Sequence, residues 1–221
     1  MTPGVHEHVL DHARADILSA AATCFMEHGY SETSIDDVAH ALGATKGRIY
    51  HHFRSKADLF ANVFRAGMEM NYAAIEPCRA SSGPAAMRWK RMAFAHVIQM
   101  IRTRAFQRTV WMGVEMHLRG ATTPQQRAIL SDLLRLRTDY SAIFREVIVK
   151  GREDGDFDFE NVSITNQLMF MTLNSPFFWY APRTGETRAD IEDLAKLVVT
   201  CAWRGLGGKD DRGEKEERNE A

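Results

Sequence analysis

The sequence predicts an all-α protein in which a small helix-turn-helix head is joined to a larger helical body. Three observations carry this. Apolar residues recur at three- and four-residue spacing along most of the chain, the period of a helix. Only six prolines interrupt 221 residues. Two short helical segments flank Gly43-Ala44, a tight glycine-containing turn of the kind that joins the helices of a helix-turn-helix unit.

The elements follow in order. Residues 1–8 are polar and read as a loose arm. His8 and His12 would share a helix face, a spacing a metal can use with His6 beside them, but a solvated arm is the favoured reading. The first strong helix runs from about Leu10 to His28, with Ile17, Leu18, Ala21, Ala22 and Phe25 as its apolar stripe and Gly29 as its stop. Ser34 is an N-cap for a second, short helix, and Asp36 and Asp37 suit the positive end of its dipole. Val38, Ala39 and Leu42 face inward and Gly43 ends it. A third helix starts near Thr45 and runs to about His52, anchored by Ile49 and Phe53. Ser55 caps a fourth, with Leu59, Phe60, Val63, Phe64 and Met68 inside. Further helices are expected at roughly 85–104, 106–119, 124–152, 160–174 and 188–205. Breaks fall at Cys78–Gly83, Gly120–Pro124, Gly151–Phe159, Ser175-Pro176 and Pro182–Gly185. The tail, 207–221, mixes charges without an apolar stripe and is expected to be disordered.

Composition narrows the function. Apolar residues make up 45% and charged residues 26%, which is ordinary for a globular protein. The formal net charge is −1, so a nucleic-acid footprint has to be local. Cys24, Cys78 and Cys201 show no metal or redox spacing and read as free, buried thiols of a reducing compartment. No leader and no membrane-length apolar run is evident, so a cytoplasmic location is expected. No cofactor or metal site is read.

The local footprint lies in residues 34–56. Two short helices cannot hold alone, and the 10–28 helix gives them a face to pack on. The third helix is then the recognition helix, whose first residues reach base edges in the major groove. From Thr45 to Lys56 there are four cations, Lys46, Arg48, Arg54 and Lys56, and no acid. Residues 1–60 as a whole carry more acids than bases. Tyr50, His51 and His52 add hydrogen-bonding rings. Gly47 is unusual inside a helix, and its missing side chain permits close backbone approach to a phosphate or base.

The run from Gly43 to Leu59, with Phe25, Gly29, Tyr30, Thr33, Ser34, Ile35, Val38 and Ala39 upstream, resembles the TetR/AcrR repressors. The resemblance is dense over residues 15–65. It implies nine helices, three in the head and six in the body. It implies a 9–54 DNA-binding domain, a 55–206 ligand-binding and dimerisation domain, and a homodimer on double-stranded operator DNA. Ser34, Thr45, Lys46, Gly47, Tyr50, His51 and Lys56 would lie at or near DNA. Lys56 and Tyr50 would hold backbone, while Thr45, Lys46, Gly47 and Arg48 would read bases. Arg48 is bulkier than the small residue common at its place, which bears on operator choice.

The body offers an interface and a pocket. Ile164, Leu168 and Met171, with Phe170 and Leu173 beside them, and Ile191, Leu194, Val198 and Cys201 recur at helical spacing. Segments 160–174 and 188–205 from two copies would form a four-helix contact, with ordinary core as the competing reading. Trp111, Met112, Glu115 and Met116, with Asn166, Met169, Phe170, Asn174 and Phe177, make a methionine- and aromatic-rich set with a few polar groups, suited to a small-molecule effector. Residues 174–185 resemble the link before the last helix in TetR-type regulators of lipid and steroid breakdown, which implies an acyl-CoA-like ligand. Arg102, Arg104, Arg108 and Arg119 would suit a CoA phosphate or simply form a solvated face. A sensor of an aromatic drug controlling efflux is the alternative. An enzyme is disfavoured because no paired Glu-x-x-His, Gly-x-Ser-x-Gly or phosphate-cradling loop occurs. A protein-binding adaptor is disfavoured by the acid-free Thr45–Lys56 segment.

Overall fold

The computed structural model describes residues 3–120 and 123–208, and every regular element among them is a helix. In chain order these are α1 Pro3–Glu32, α2 Ile35–Ala41, α3 Lys46–His52, α4 Lys56–Arg79, α5 Ala85–Arg102, α6 Arg104–Arg119, α7 Pro124–Glu153, α8 Val162–Asn174, α9 Pro176–Trp179 and α10 Arg188–Gly205. The expected helices are all present. Two details differ. α1 begins at Pro3, not near Leu10; a proline at the first helical position loses no hydrogen bond and has its φ already set. The Ser175-Pro176 junction holds a one-turn helix, α9, again opened by a proline. The side chains of His6 and His8 and the tail from residue 209 lie outside the described residues.

The chain divides into two compact units, with α4 and α7 contributing to both. One unit contains α1, α2, α3, the start of α4, α6 and the first half of α7. Its core is the α1 stripe, with Ile17, Ala21, Ala22 and Phe25 wholly buried, together with Val38, Ile49, Phe53, Leu59, Val63 and Phe64. Phe25 and Phe60 pack edge to face with ring centres 5.3 Å apart, a favoured aromatic geometry. α6 lies close on α4 because Gly67 and Gly113 face side chains across the contact. A Cβ at Gly113 would stand 2.8 Å from the Phe64 ring.

The other unit contains the end of α4, α5, the second half of α7 and α8 to α10. α5 packs against both α8 and α10. At its centre the buried Trp89 meets Phe157 at 6.1 Å and Trp203 at 5.8 Å. Its indole N–H points at Met169 Sδ, 3.2 Å away. After α10, Leu206 O accepts from Asp158 N at 3.0 Å.

The apolar face expected on α10 needs a correction. Val198 is turned inward, 8% exposed, and Ile191 and Leu194 are half-buried. Leu197, which the sequence reading passed over, is 65% exposed. On α8 the reading of Ile164, Leu168 and Met171 as one stripe holds, and all three face outward. The three cysteines are free; Cys24 is buried, Cys78 half-buried and Cys201 exposed, so the expectation of burial fails at the last. Among the described residues, no helix is long and apolar enough to cross a membrane.

The close α4–α6 contact makes a direct prediction. Gly113→Val is expected to destabilise the protein by about 1–3 kcal/mol through overpacking against Phe64, read by chemical denaturation. An unchanged unfolding midpoint would mean that the contact is looser than described.

Candidate nucleic-acid interface and effector sites

The helix-turn-helix is built by local capping. Ser34 Oγ accepts from Asp37 N at 3.2 Å, and Asp37 Oδ2 accepts from Ser34 N at 2.7 Å. This reciprocal box satisfies two otherwise orphaned N–H groups at the start of α2. The Ser34 hydroxyl and backbone N–H hold the Asp37 carboxyl below its ordinary pKa. α2 ends where Gly43 takes φ 59°, with Gly43 N donating to His40 O at 2.9 Å and Ala44 N to Ala39 O at 2.8 Å. Left-handed backbone favours glycine there.

α3 then splits cleanly by face. Ile49 and Phe53 are buried against the core at 0% and 1% exposure. Thr45, Lys46, Gly47, Arg48, Tyr50 and His51 are exposed, and Ser34 is exposed nearby in the chain. Thr45 occupies the N-cap but makes no capping bond with its side chain. The Lys46 ammonium pairs with the Asp36 carboxylate. A Cβ at Gly47 would meet Thr45 Oγ1, at 3.8 Å, so nothing among the described residues requires glycine there. His52 is half-buried; burial, then His51, Arg14 and Arg48, lower its pKa.

Lys56 stands apart from the other expected DNA residues. Its ammonium donates to the carbonyls of Tyr30, Ser31 and Thr33 at 2.9, 3.1 and 2.8 Å. It also sits 4.7 Å from the centre of the Tyr30 ring.

The nine expected effector residues fall in the two units. In the first, Met112, Glu115 and Met116 of α6 line a cleft of about 510 Å³ with Tyr30 and Gln126, within the ordinary size of a small-molecule site. Trp111 is half-buried on the same helix. In the second, Asn166, Met169, Phe170 and Phe177 are buried. Asn174 Oδ1 lies 3.0 Å from Nε2 of His96, whose Nδ1 is 2.8 Å from the Tyr140 hydroxyl. Sequence reasoning missed His96 and Tyr140, each a polar side chain on the buried face of an amphipathic helix. Phe144 and Phe170 stand edge-on to the imidazole. Burial pushes the His96 pKa down to about 4 and that of the Tyr140 phenol well up. A neutral imidazole therefore donates Nε2–H to Asn174 and accepts at Nδ1 from Tyr140. Asn166 Nδ2 donates to Ser141 Oγ at 3.0 Å, while buried Asn166 Oδ1 has no partner among the described residues. Of the four arginines, Arg102 and Arg119 are exposed, and Arg104 and Arg108 are half-buried.

Comparison with known proteins settles the family. The model described as "Bacterial regulatory proteins, tetR family" matches residues 17–63. The model described as "Tetracyclin repressor-like, C-terminal domain" matches residues 90–206, more than half of the chain. The chain belongs to the TetR family. It is therefore a helix-turn-helix, DNA-binding transcriptional repressor of a family that has no enzymatic activity. The chain is 39% identical to the transcriptional repressor Rv1474c of Mycobacterium tuberculosis over 30% of its own length and 36% of that repressor. With the repressor KstR2 of Rhodococcus jostii it shares 24% identity over 87% of its own length and 90% of KstR2. The fold also matches the crystal structure of AibR in complex with isovaleryl coenzyme A and operator DNA. There the TM-score is 0.68 at 17% identity, covering 89% of this chain and all of that one.

The buried histidine of this TetR-family chain predicts a pH dependence. His96 titrates near 6.5 when unfolded and near 4 when folded. Its folded pKa is depressed, so the unfolded state binds the proton first as pH falls. Stability is retained above pH 6.5 and lost progressively down to about pH 4, by about 1.4 kcal/mol per pH unit. His96→Gln is expected to be less stable at neutral pH and to show a flatter decline across that window. Parallel profiles for the two proteins, read by denaturation at fixed pH values, would contradict the buried, neutral imidazole.

Proposed function

We propose that this repressor binds a two-fold operator as a homodimer and is released by a small hydrophobic ligand such as an acyl-CoA. The observation that carries the DNA part is the exposed edge of α3. It presents Thr45, Lys46, Gly47, Arg48, Tyr50 and His51 without an acid, while Ile49 and Phe53 hold the helix from behind. Ser34 at the start of α2 supplies a further polar group. The Lys46–Asp36 pair is exposed and exchanges readily for a phosphate or base edge. In functional terms the head is 9–54 and the body 55–206.

The homodimer rests on Ile164, Leu168 and Met171 of α8 and Leu197 of α10, which are 49–65% exposed. Large apolar residues clustered on a surface favour a protein partner, and a helix pair from each copy suits an isologous contact. Two heads held at one spacing are what two operator half-sites require.

For the effector, the buried set Asn166, Met169, Phe170, Asn174 and Phe177 supports an apolar ligand with a few polar atoms. His96 is held neutral and both its nitrogens are engaged, by Asn174 and Tyr140, so it offers no positive charge to a free carboxylate. Asn166 Oδ1 is an unmet acceptor for a ligand N–H or O–H. The cleft lined by Met112, Glu115 and Met116, with Trp111 on the same helix, is a separate candidate place for a small ligand. AibR was crystallised with isovaleryl coenzyme A, which favours the acyl-CoA reading over a drug sensor. The ligand acts only through its different affinity for the DNA-competent and released arrangements.

Three outcomes are expected. Gly47→Ala should keep or raise thermal stability, since alanine is the better helix former, yet weaken operator binding at least tenfold in a gel shift on DNA flanking its own gene. Undiminished binding would remove Gly47 from the interface. Leu168→Asp with Leu197→Asp should sediment as a folded monomer and lose tight operator binding; a variant that remains a dimer sinks this interface. CoA thioesters at about 100 times their dissociation constant should stabilise the protein by about 2.7 kcal/mol and weaken its operator complex. If only aromatic drugs do so, the acyl-CoA reading is replaced.

A further inference from the structure

Lys56 opens α4, but its ammonium is turned back onto the end of α1. α1 is broken at Gly29, which takes φ 79° and ψ 169°. The residues that follow leave carbonyls that the helix cannot satisfy. Thr33, 1% exposed, is fixed there by its hydroxyl, which donates to Gly29 O at 2.7 Å and Cys24 O at 3.1 Å. The Tyr30, Ser31 and Thr33 carbonyls each accept from Lys56 Nζ at 3.1 Å or less. An ammonium has three N–H groups, so all are engaged. The Tyr30 ring, itself packed on Phe60 at 5.0 Å between ring centres, covers the ammonium on another side.

We propose that Lys56 is a positioning residue: an internal strut that closes the carboxyl end of α1 and ties it to the start of α4, instead of a direct phosphate contact. A cation at the negative end of a helix is favoured by the helix dipole as well as by its hydrogen bonds. A DNA phosphate could recruit this ammonium only in exchange for these three carbonyl bonds. The strut also fixes one wall of the α6 cleft, because Gly29, Tyr30 and Ser31 line it opposite Met112, Glu115 and Met116. Lys56 thus holds together the helix that supports α2 and α3, the helix that follows α3, and the cleft.

The proposal rests on the DNA-binding reading only for its functional consequence; the strut itself is tested by stability. The experiment measures the thermal midpoint and operator affinity from low to moderate salt for Lys56→Met, with Lys46→Ala as comparison. Lys56→Met is expected to lower the midpoint by about 2–4 °C or more and to weaken binding with the slope of log affinity against log salt unchanged. Lys46→Ala should keep its midpoint. A slope reduced by about one with an unchanged midpoint in Lys56→Met overturns the proposal, since that is the mark of a lost phosphate contact. If Lys56→Met does not fold, Lys56→Gln decides. It keeps an amide donor but no charge, so an unchanged slope supports the strut and a slope lower by about one overturns it. Should Lys46→Ala leave DNA binding untouched, the α3 interface fails, while the Lys56 midpoint still reports on the strut.

Discussion

Everything the head does depends on α1 as a platform. α2 and α3 have seven residues each, far fewer than an isolated helix needs to persist in water. They exist because α2 packs on α1 and α3 on α2, so that Ile17, Ala21, Ala22 and Phe25 of α1 are buried in one core with Val38, Ile49 and Phe53. Burying those side chains fixes the rotation of α3 about its own axis. The same rotation turns Lys46, Arg48, Tyr50 and His51 outward together. The exposure of the recognition edge is thus a consequence of core packing.

Much of this was legible in sequence because it is written in short-range rules. The 3.6-residue period marked the helices, glycines at 29 and 43 marked their ends, and Ser34 with Asp37 marked a cap. The acid-free run from Thr45 to Lys56 located the positive edge in a chain with no net positive charge. What escaped was long-range. Nothing local says that Lys56 reaches back to residues 30–33, because that contact is made by folding a chain segment over α1. Nothing local says that His96, alone in the apolar stripe of α5, meets Tyr140 and Asn174 from two other helices. On α10 the period was read correctly but its phase was not: Val198 and Leu197 are neighbours, and only packing on α5 and α8 decides which one is buried.

The body follows the same logic with a different outcome. Its unit spends its core on aromatics around Trp89 and on the neutral His96 network, and it leaves apolar side chains on α8 and α10 facing outward. A core that buries an uncharged imidazole and an unmatched amide oxygen is suited to a ligand that brings hydrogen-bonding atoms without charge. Two packed helices that leave four large apolar residues exposed are suited to a second copy. Under the proposed function these two features supply the effector response and the operator geometry.

The central claim is that the exposed edge of α3 contacts operator DNA. Amide hydrogen exchange of the full chain, with and without the DNA flanking its own gene, tests it most directly. The account predicts slowed exchange over residues 45–51 with the operator, reduced or absent with unrelated DNA at the same salt. Exchange over that segment unaltered by a DNA fragment that the protein demonstrably binds would contradict it.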